Sequence, residues 1–160
     1  MKILFVCTGN TCRSAMCAGY FSKLCQEAGL KDVEALSAGV FASQGSPASP
    51  AALQAMSLRG VDLSGHRSTP LSRELLEASD LVVPLGAGHK ARICALCPEA
   101  MDRTRLLLEF ADRPGSDVDD PFGGGLREYE ACFEEMKPAL DNLLLETMEA
   151  ARRSASSSKE

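Results

Sequence analysis

The chain has 160 residues, of which 45% are hydrophobic and 24% are charged, and its formal net charge is −5. This length and composition are typical of one globular domain with its own core, and the acidic balance argues against nucleic acid or an anionic membrane surface as a partner. No apolar run approaches the roughly 20 residues of a membrane span, and the run after Met1-Lys2 is too short for the core of a signal peptide, so we expect a cytoplasmic protein.

Short apolar runs alternate with amphipathic stretches along the chain. The apolar runs predict four strands: Lys2 to Val6, Val33 to Ser37, Asp80 to Leu85 and Arg105 to Leu108. The amphipathic stretches predict five helices: Ser14 to Ala28, Ser49 to Gly60, Ser72 to Ala78, Ala87 to Cys97 and Leu126 to Arg153. This alternation predicts an α/β fold, a four-stranded parallel sheet flanked by helices on both faces. We expect one domain over 1–153 and a flexible polar tail over 154–160.

The loop after the first predicted strand carries the strongest chemical signal. It reads Cys7-Thr8-Gly9-Asn10-Thr11-Cys12-Arg13-Ser14 and leads into a predicted helix. A strand that turns tightly into a helix directs backbone N–H groups and the positive end of the helix dipole at one spot, which favours phosphate and stabilises a thiolate. We therefore expect Cys7 to be a nucleophile and Arg13 to grip two phosphoryl oxygens.

A second loop offers a carboxyl group for proton transfer. It reads Asp120-Pro121-Phe122-Gly123-Gly124-Gly125. Proline restricts the residue before it to extended geometry, which favours Asp120 over the neighbouring Asp119 as the acid. The glycines allow the loop to close tightly, and Phe122 is placed to form a wall for a substrate.

Seven cysteines in a chain without an export signal do not predict a disulfide framework. Three of them lie in helical patterns and are expected to be small buried hydrophobic residues: Cys17, Cys25 and Cys132. Cys94 and Cys97 form a single C-x-x-C with no histidine at a zinc spacing, so we expect no metal. Two interpretations of Cys12 stay open: an ordinary loop residue, or a thiol that traps oxidised Cys7 as a disulfide.

These motifs resemble the low-molecular-weight protein tyrosine phosphatase family. The similarity lies in C-T-G-N-T-C-R-S, in S-A-G at Ser37 to Gly39 and in D-P-F-G-G, and it extends from Met1 to about Glu149. It implies the flavodoxin-like architecture of that family, catalysis without metal or cofactor through a cysteinyl-phosphate, and phosphorylated proteins as substrates. We expect the protein to act as a monomer.

The resemblance also implies roles for individual residues. Cys7 would be the nucleophile, Arg13 the phosphate clamp and Asp120 the general acid. The residues that would bind the phosphate or the substrate are Thr8, Gly9, Asn10, Thr11, Cys12, Arg13, Ser14 and Phe122. The supporting polar network would fall on Asn10, Ser14, Ser37 and His66, with Ser14 donating a hydrogen bond to the thiolate.

Within the family, the loop resembles the branch that removes phosphate from arginine in proteins. Members that act on phosphotyrosine commonly have Ile or Leu where this chain has Thr11, and Tyr where it has Phe122. A threonine hydroxyl offers a guanidinium group a polar contact that an aliphatic side chain cannot make. Phosphoarginine is therefore the favoured substrate, and a phosphotyrosine-specific phosphatase is the alternative.

Two further alternatives are weighed against the phosphatase. An arsenate reductase on the same fold would pass oxidation from Cys7 to further thiols, and Cys94 and Cys97 are the candidates for that relay. A non-catalytic phosphoprotein-binding module would keep the loop and Arg13 but would not need a nucleophile and an acid together.

One departure from the usual family pattern concerns stability: Gly19 should cost the first helix about 1 kcal/mol relative to alanine.

Overall fold

The computed structural model describes residues 1–159, and a parallel sheet lies at its centre. The sheet contains β1 (Lys2–Cys7), β2 (Glu34–Gly39) and β3 (Leu81–Pro84), in the order β2-β1-β3. β1 therefore has a partner on both sides: Cys7 is in register with Gly39 of β2, and Val6 is in register with Pro84 of β3. The nucleophile candidate thus lies at the carboxyl edge of the central strand, where ligands collect in open parallel sheets.

Five helices surround the sheet: α1 (Arg13–Glu27), α2 (Pro50–Ser57), α3 (Arg73–Glu77), α4 (Ala87–Leu96) and α5 (Leu126–Ser157). Each overlaps a helix predicted from the sequence. Ser49 and Ser72 cap α2 and α3, because their hydroxyl oxygens accept hydrogen bonds from the N–H groups of Ala52 and Leu75 at 3.3 Å and 3.2 Å.

Alternate residues of β1 supply two cores, one on each face of the sheet. Ile3, Phe5 and Cys7 pack with buried residues of α1, α2 and α5. Leu4 and Val6 pack on the other face, with buried residues of α3 and α4. This arrangement confirms the predicted α/β fold with helices on both faces.

The prediction of a fourth strand over Arg105 to Leu108 is wrong, and the sheet within residues 1–159 has three strands. The Arg105 N–H donates to Val82 O at 3.0 Å and Thr104 forms an isolated bridge with Val82, but the chain then enters a 3₁₀-helix over Leu107–Ala111. Its leucines are buried against α5, whose Asn142 amide donates to the carbonyl of Phe110 at 2.7 Å. A short apolar run fits a buried strand or a buried helical turn equally well, and packing on α5 decides for the turn.

The last helix is longer than predicted. α5 continues from Arg153 through Ser157, so it includes four residues of the expected polar tail, and the side chains over 151–159 are exposed. Glu160, the end of that tail, lies outside the described residues. None of the helices in residues 1–159 combines the length and the apolar character that crossing a bilayer requires.

Gly19 has a packing role that offsets its low helix propensity. A Cβ atom at this position of α1 would collide with the Leu63 side chain and lie 3.2 Å from Cγ1 of Val61. The segment after α2 therefore packs directly on the backbone of α1. Alanine at this position would gain helix propensity and disrupt that contact.

Candidate active site

The loop between β1 and α1 is built around a buried asparagine. Asn10 has a φ of 58° and is fully buried. Its side-chain amide donates to Ser14 Oγ at 2.7 Å, and its Oδ1 accepts from the Thr69 N–H at 2.9 Å. Its carbonyl accepts a hydrogen bond from His66 Nε2 at 2.6 Å. The start of α1 and the segment between α2 and α3 thus hold the left-handed turn, and the structure brings Asn10, Ser14 and His66 together.

The S-A-G motif shapes this loop through its glycine. A Cβ atom on Gly39 would collide with the carbonyl oxygen of Thr8 and lie 2.9 Å from the nitrogen of Asn10. Only glycine allows the end of β2 to approach the loop this closely. Ser37 lies two residues earlier, half-buried and in register with Phe5, and within residues 1–159 no hydrogen bond joins its side chain to the loop. The structure therefore does not bring Ser37 into the expected polar network.

Cys7 lies at the floor of the loop with its sulfur beside a hydroxyl group. Its Sγ is 2.8 Å from Ser14 Oγ, and the residue is 2% exposed. Because the Asn10 amide occupies one lone pair of Ser14 Oγ, the Ser14 hydrogen is free to point at the sulfur. The other acceptor in reach is the carbonyl of Ala38, at the longer distance of 3.5 Å. This geometry suits a hydroxyl that donates to a thiolate.

Arg13 is buried, and the surrounding groups fix one edge of its guanidinium. Nη1 donates to the carbonyl of Val118 at 2.9 Å, and Nη2 donates to Thr8 Oγ1 at 3.4 Å. Nη2 also lies 3.5 Å from Oδ2 of Asp120. The Nε–H is buried and has no partner in the described part of the chain. A buried donor without an acceptor is unusual, and here it is available to an incoming oxyanion.

The acidic loop, which is the segment over 114–125, is held between the end of β3 and the start of α4. The Val118 N–H donates to the carbonyl of Leu85 at 2.9 Å, and the Ala87 N–H donates to Asp117 Oδ1 at 2.8 Å. Asp120 follows, and one of its carboxylate oxygens accepts the N–H of Phe122 at 3.0 Å. The two anchors place the loop against the start of α4 and beside Arg13.

A cavity of about 210 Å³ connects these groups, and Phe122, 81% exposed, stands at its rim. The cavity is lined by Cys7, Thr8, Gly9, Thr11, Cys12, Arg13, Asp120 and Phe122. Asp119 instead lines a neighbouring cavity of about 390 Å³. Of the two adjacent acidic residues, Asp120 is the one that lines the cavity with Cys7 and lies beside Arg13.

Two residues that the sequence analysis missed contact the loop from distant parts of the chain. The Tyr129 hydroxyl of α5 lies 3.0 Å from Cys12 Sγ, and burial together with this contact raises the pKa of Tyr129 to about 12. His89 Nε2 of α4 lies 3.0 Å from Thr8 Oγ1. Burial of the His89 ring is the main cause that lowers its pKa to about 4, and the positive charge of Arg13 nearby is the second. No local pattern marks either residue, because only the fold brings these helices to the loop.

The five cysteines outside the loop, Cys94 and Cys97 among them, do not line the cavity with Cys7. Cys17, Cys25 and Cys132 are buried, as predicted. Cys97 is buried in the core on the opposite face of the sheet from Cys7. Cys94 is exposed and lies five residues beyond His89, about 7.5 Å farther along α4. The sheet thus separates Cys97 from Cys7, which disfavours the relay that an arsenate reductase needs.

Residues 2–154 match the family described as low molecular weight phosphotyrosine protein phosphatase. The chain belongs to this family. It is 41% identical over 142 residues to the protein-arginine-phosphatase of Geobacillus stearothermophilus, and the matched region covers 89% of this chain and 93% of the relative. It is 32% identical over 139 residues to a probable low molecular weight protein-tyrosine-phosphatase, EpsP, of Ralstonia solanacearum, which covers 87% of this chain and 90% of the relative.

Solved structures agree with this assignment. The YwlE arginine phosphatase, in a cysteine-to-serine mutant with a phosphorylated active-site serine, superimposes with a TM-score of 0.89 at 36% identity. The match covers 95% of this chain and 99% of that chain. The family resemblance is thereby confirmed, and so is the expectation of a cysteine-dependent phosphatase.

Proposed function

We propose that this protein removes phosphate from phosphoarginine in proteins, through a phosphoryl group held for a moment on Cys7. The observation that carries the proposal is the single cavity that holds the Cys7 sulfur, the Arg13 guanidinium, the Asp120 carboxylate and the Thr11 side chain together. The relative from Geobacillus stearothermophilus, named a protein-arginine-phosphatase, supports the same substrate.

In the first step the phosphoryl group lies in the loop above the sulfur. Arg13 Nε and Nη2 grip two of its oxygens, and the positive end of α1 adds to the attraction. The Cys7 thiolate attacks phosphorus, a P–S bond forms and the P–N bond to the substrate breaks. Asp120 gives its proton to the leaving nitrogen, so the arginine side chain departs as a complete guanidinium group.

In the second step water removes the phosphoryl group from sulfur. Asp120, now a carboxylate, accepts a proton from the attacking water as the P–O bond forms and the P–S bond breaks. Inorganic phosphate leaves, and Cys7 returns to the thiolate. The Ser14 hydroxyl, 2.8 Å from the sulfur, stabilises the thiolate as it leaves.

The rim of the cavity supports phosphoarginine over phosphotyrosine. Thr11 supplies a hydroxyl oxygen and Asp120 the carbonyl oxygen of its carboxyl group, and both can accept hydrogen bonds from the N–H groups of a guanidinium. The exposed ring of Phe122 offers a face on which a planar cation stacks. A phosphotyrosine ring has no donors for these oxygens, so part of the rim would be left without partners.

The deciding experiment compares two peptides of one sequence, one with phosphoarginine and one with phosphotyrosine, under reducing conditions. We expect kcat/KM to favour phosphoarginine by about tenfold or more, because a site built for hydrogen bonds discriminates strongly against a substrate that lacks them. A preference for phosphotyrosine would establish the alternative substrate. Phosphate binding without turnover of either peptide would establish a binding module.

The proposed cytoplasmic location, the monomeric state and the flexibility of the segment 154–160 stay predictions.

A further inference from the structure

His89 stands against the catalytic loop, although it belongs to α4. It is the third residue of the helix, which begins right after β3 and so starts at the carboxyl edge of the sheet. The side chain is more than nine-tenths buried, and Nε2 lies 3.0 Å from Thr8 Oγ1. Thr8 lines the cavity next to Cys7. His89 is therefore one hydrogen bond away from the phosphate site.

Thr8 also connects His89 to the phosphate clamp. Its Oγ1 lies 3.4 Å from Arg13 Nη2, the same nitrogen that faces Asp120. Since a guanidinium nitrogen can only donate, Thr8 Oγ1 accepts from Arg13 and has one lone pair and one hydrogen left. The tautomer of His89 decides how these two are used.

The buried ring nitrogen that faces away from Thr8 selects the tautomer. His89 Nδ1 is buried and has no hydrogen-bond partner within residues 1–159. If Nε2 accepted the Thr8 hydrogen, Nδ1 would carry a buried N–H without an acceptor, and such side-chain groups are uncommon in folded proteins. If the hydrogen is on Nε2, His89 donates to Thr8 instead. The Thr8 hydrogen is then directed away from both neighbours and is free to point into the cavity.

We propose that His89 is a positioning residue that donates from Nε2 to Thr8 Oγ1 and thereby directs the Thr8 hydroxyl hydrogen at an oxygen of the bound phosphoryl group. The same contact fixes the acceptor for Arg13 Nη2. The biological meaning of this arrangement rests on the proposed phosphatase function. Its physical consequence, tighter binding of a phosphate oxyanion, does not depend on which phosphoprotein is the substrate.

The charges around His89 agree with a neutral ring. Arg13 faces it from α1 and opposes its protonation, whereas Asp117 and Asp120 face it from the acidic loop and favour protonation. Burial and Arg13 prevail, so the pKa of His89 falls to about 4 and the ring has one hydrogen at neutral pH. With its one hydrogen on Nε2, the ring can donate to Thr8 and leaves no unpaired N–H at the buried Nδ1.

The first test measures the tautomer in the unmodified, reduced protein by ¹⁵N NMR of the histidine rings at pH 7. His89→Gln identifies the His89 signals by their disappearance. We expect Nε2 to carry the hydrogen. A hydrogen on Nδ1 would overturn the proposal, and this readout depends neither on turnover nor on the folding of a leucine variant.

The second test measures the affinity for inorganic phosphate by calorimetry. His89→Leu removes the donor and should weaken phosphate binding about tenfold, whereas His89→Gln keeps an N–H donor and should stay within about twofold. Thr8→Val should weaken binding by a similar factor, and the Thr8→Val/His89→Leu double variant should bind no more weakly than the poorer single variant. Arg92→Gln, an exposed change on the same helix, is the matched control.

Independent, multiplying losses in the double variant would contradict the proposal, as would unchanged phosphate affinity in a folded His89→Leu protein. Equal losses in the glutamine and leucine variants would show that the ring only fills space. If the peptide comparison favoured phosphotyrosine, the proposed substrate would fail while these results stood. If the protein preferred the phosphoarginine peptide but His89→Leu bound inorganic phosphate as tightly as the wild type, only the proposal for His89 would fail.

Discussion

The hydroxyl oxygen of Ser14 lies 2.8 Å from the sulfur of Cys7, and the Asn10 amide donates to the same oxygen at 2.7 Å. Ser14→Ala should therefore lower kcat by about ten- to a hundredfold, since a hydrogen bond to a charged group contributes about 1.5–3 kcal/mol. Steady-state hydrolysis of an aryl phosphate measures the effect. Ser22→Ala, an exposed change on the same helix, is the control. Unchanged turnover in Ser14→Ala would remove this contact from the account.

Asp120→Asn tests the proton donor. We expect it to lower kcat/KM, which reports the step in which the leaving group departs, by about a hundredfold for substrates with poor leaving groups and far less for an aryl phosphate whose leaving group needs no proton. Asp119→Asn is the matched control, because its carboxylate lines the neighbouring cavity and not the one with Cys7. Equal losses in the two variants would argue against Asp120 as the acid. So would a loss of the same size for substrates with poor and with good leaving groups.

Thr11→Ile tests substrate choice at the rim of the cavity. The isoleucine removes the hydroxyl offered to a guanidinium and adds an aliphatic surface, so the kcat/KM ratio of phosphoarginine to phosphotyrosine should fall about tenfold. Thr11→Ser keeps the hydroxyl and should keep the ratio. Competition between the two phosphopeptides in one reaction measures the ratio directly. A ratio that does not change would remove Thr11 from the argument for arginine.

Burial of neutral His89 should make the protein less stable in acid. Its folded pKa of about 4 is below the usual 6.5, so its contribution is complete above pH 6.5 and is lost as pH falls through 4. Between pH 7 and pH 4 the wild type should lose up to about 3 kcal/mol more unfolding free energy than His89→Gln. Urea unfolding of both proteins across this range measures the difference. Parallel curves would show that His89 titrates normally.

The sequence was sufficient to predict the parts of the site that are continuous in the chain. The loop from Cys7 to Ser14 and the position of Asp120 follow from residue types that tolerate particular backbone geometries, and those geometries are local. Helix boundaries at Ser49 and Ser72 were also predictable, because a cap acts within one turn.

Contacts between distant elements were not predictable in the same way. His89 and Tyr129 reach the loop only because α4 and α5 pack beside it, and neither residue belongs to a local motif. Leu107 could have continued a strand, but packing on α5 turned its segment into a 3₁₀-helix. Ser37 was assigned from its motif, whereas the close approach of backbone that matters there is made by Gly39.

The central claim is that Cys7 carries the phosphoryl group during turnover, and one measurement tests it most directly. The reduced protein is mixed with a phosphoarginine peptide, quenched within milliseconds and analysed by mass spectrometry. We predict one added phosphoryl group on the Cys7 sulfur at early times, and no hydrolysis by Cys7→Ala. A phosphoryl group on another residue, or turnover that persists in Cys7→Ala, would contradict the account.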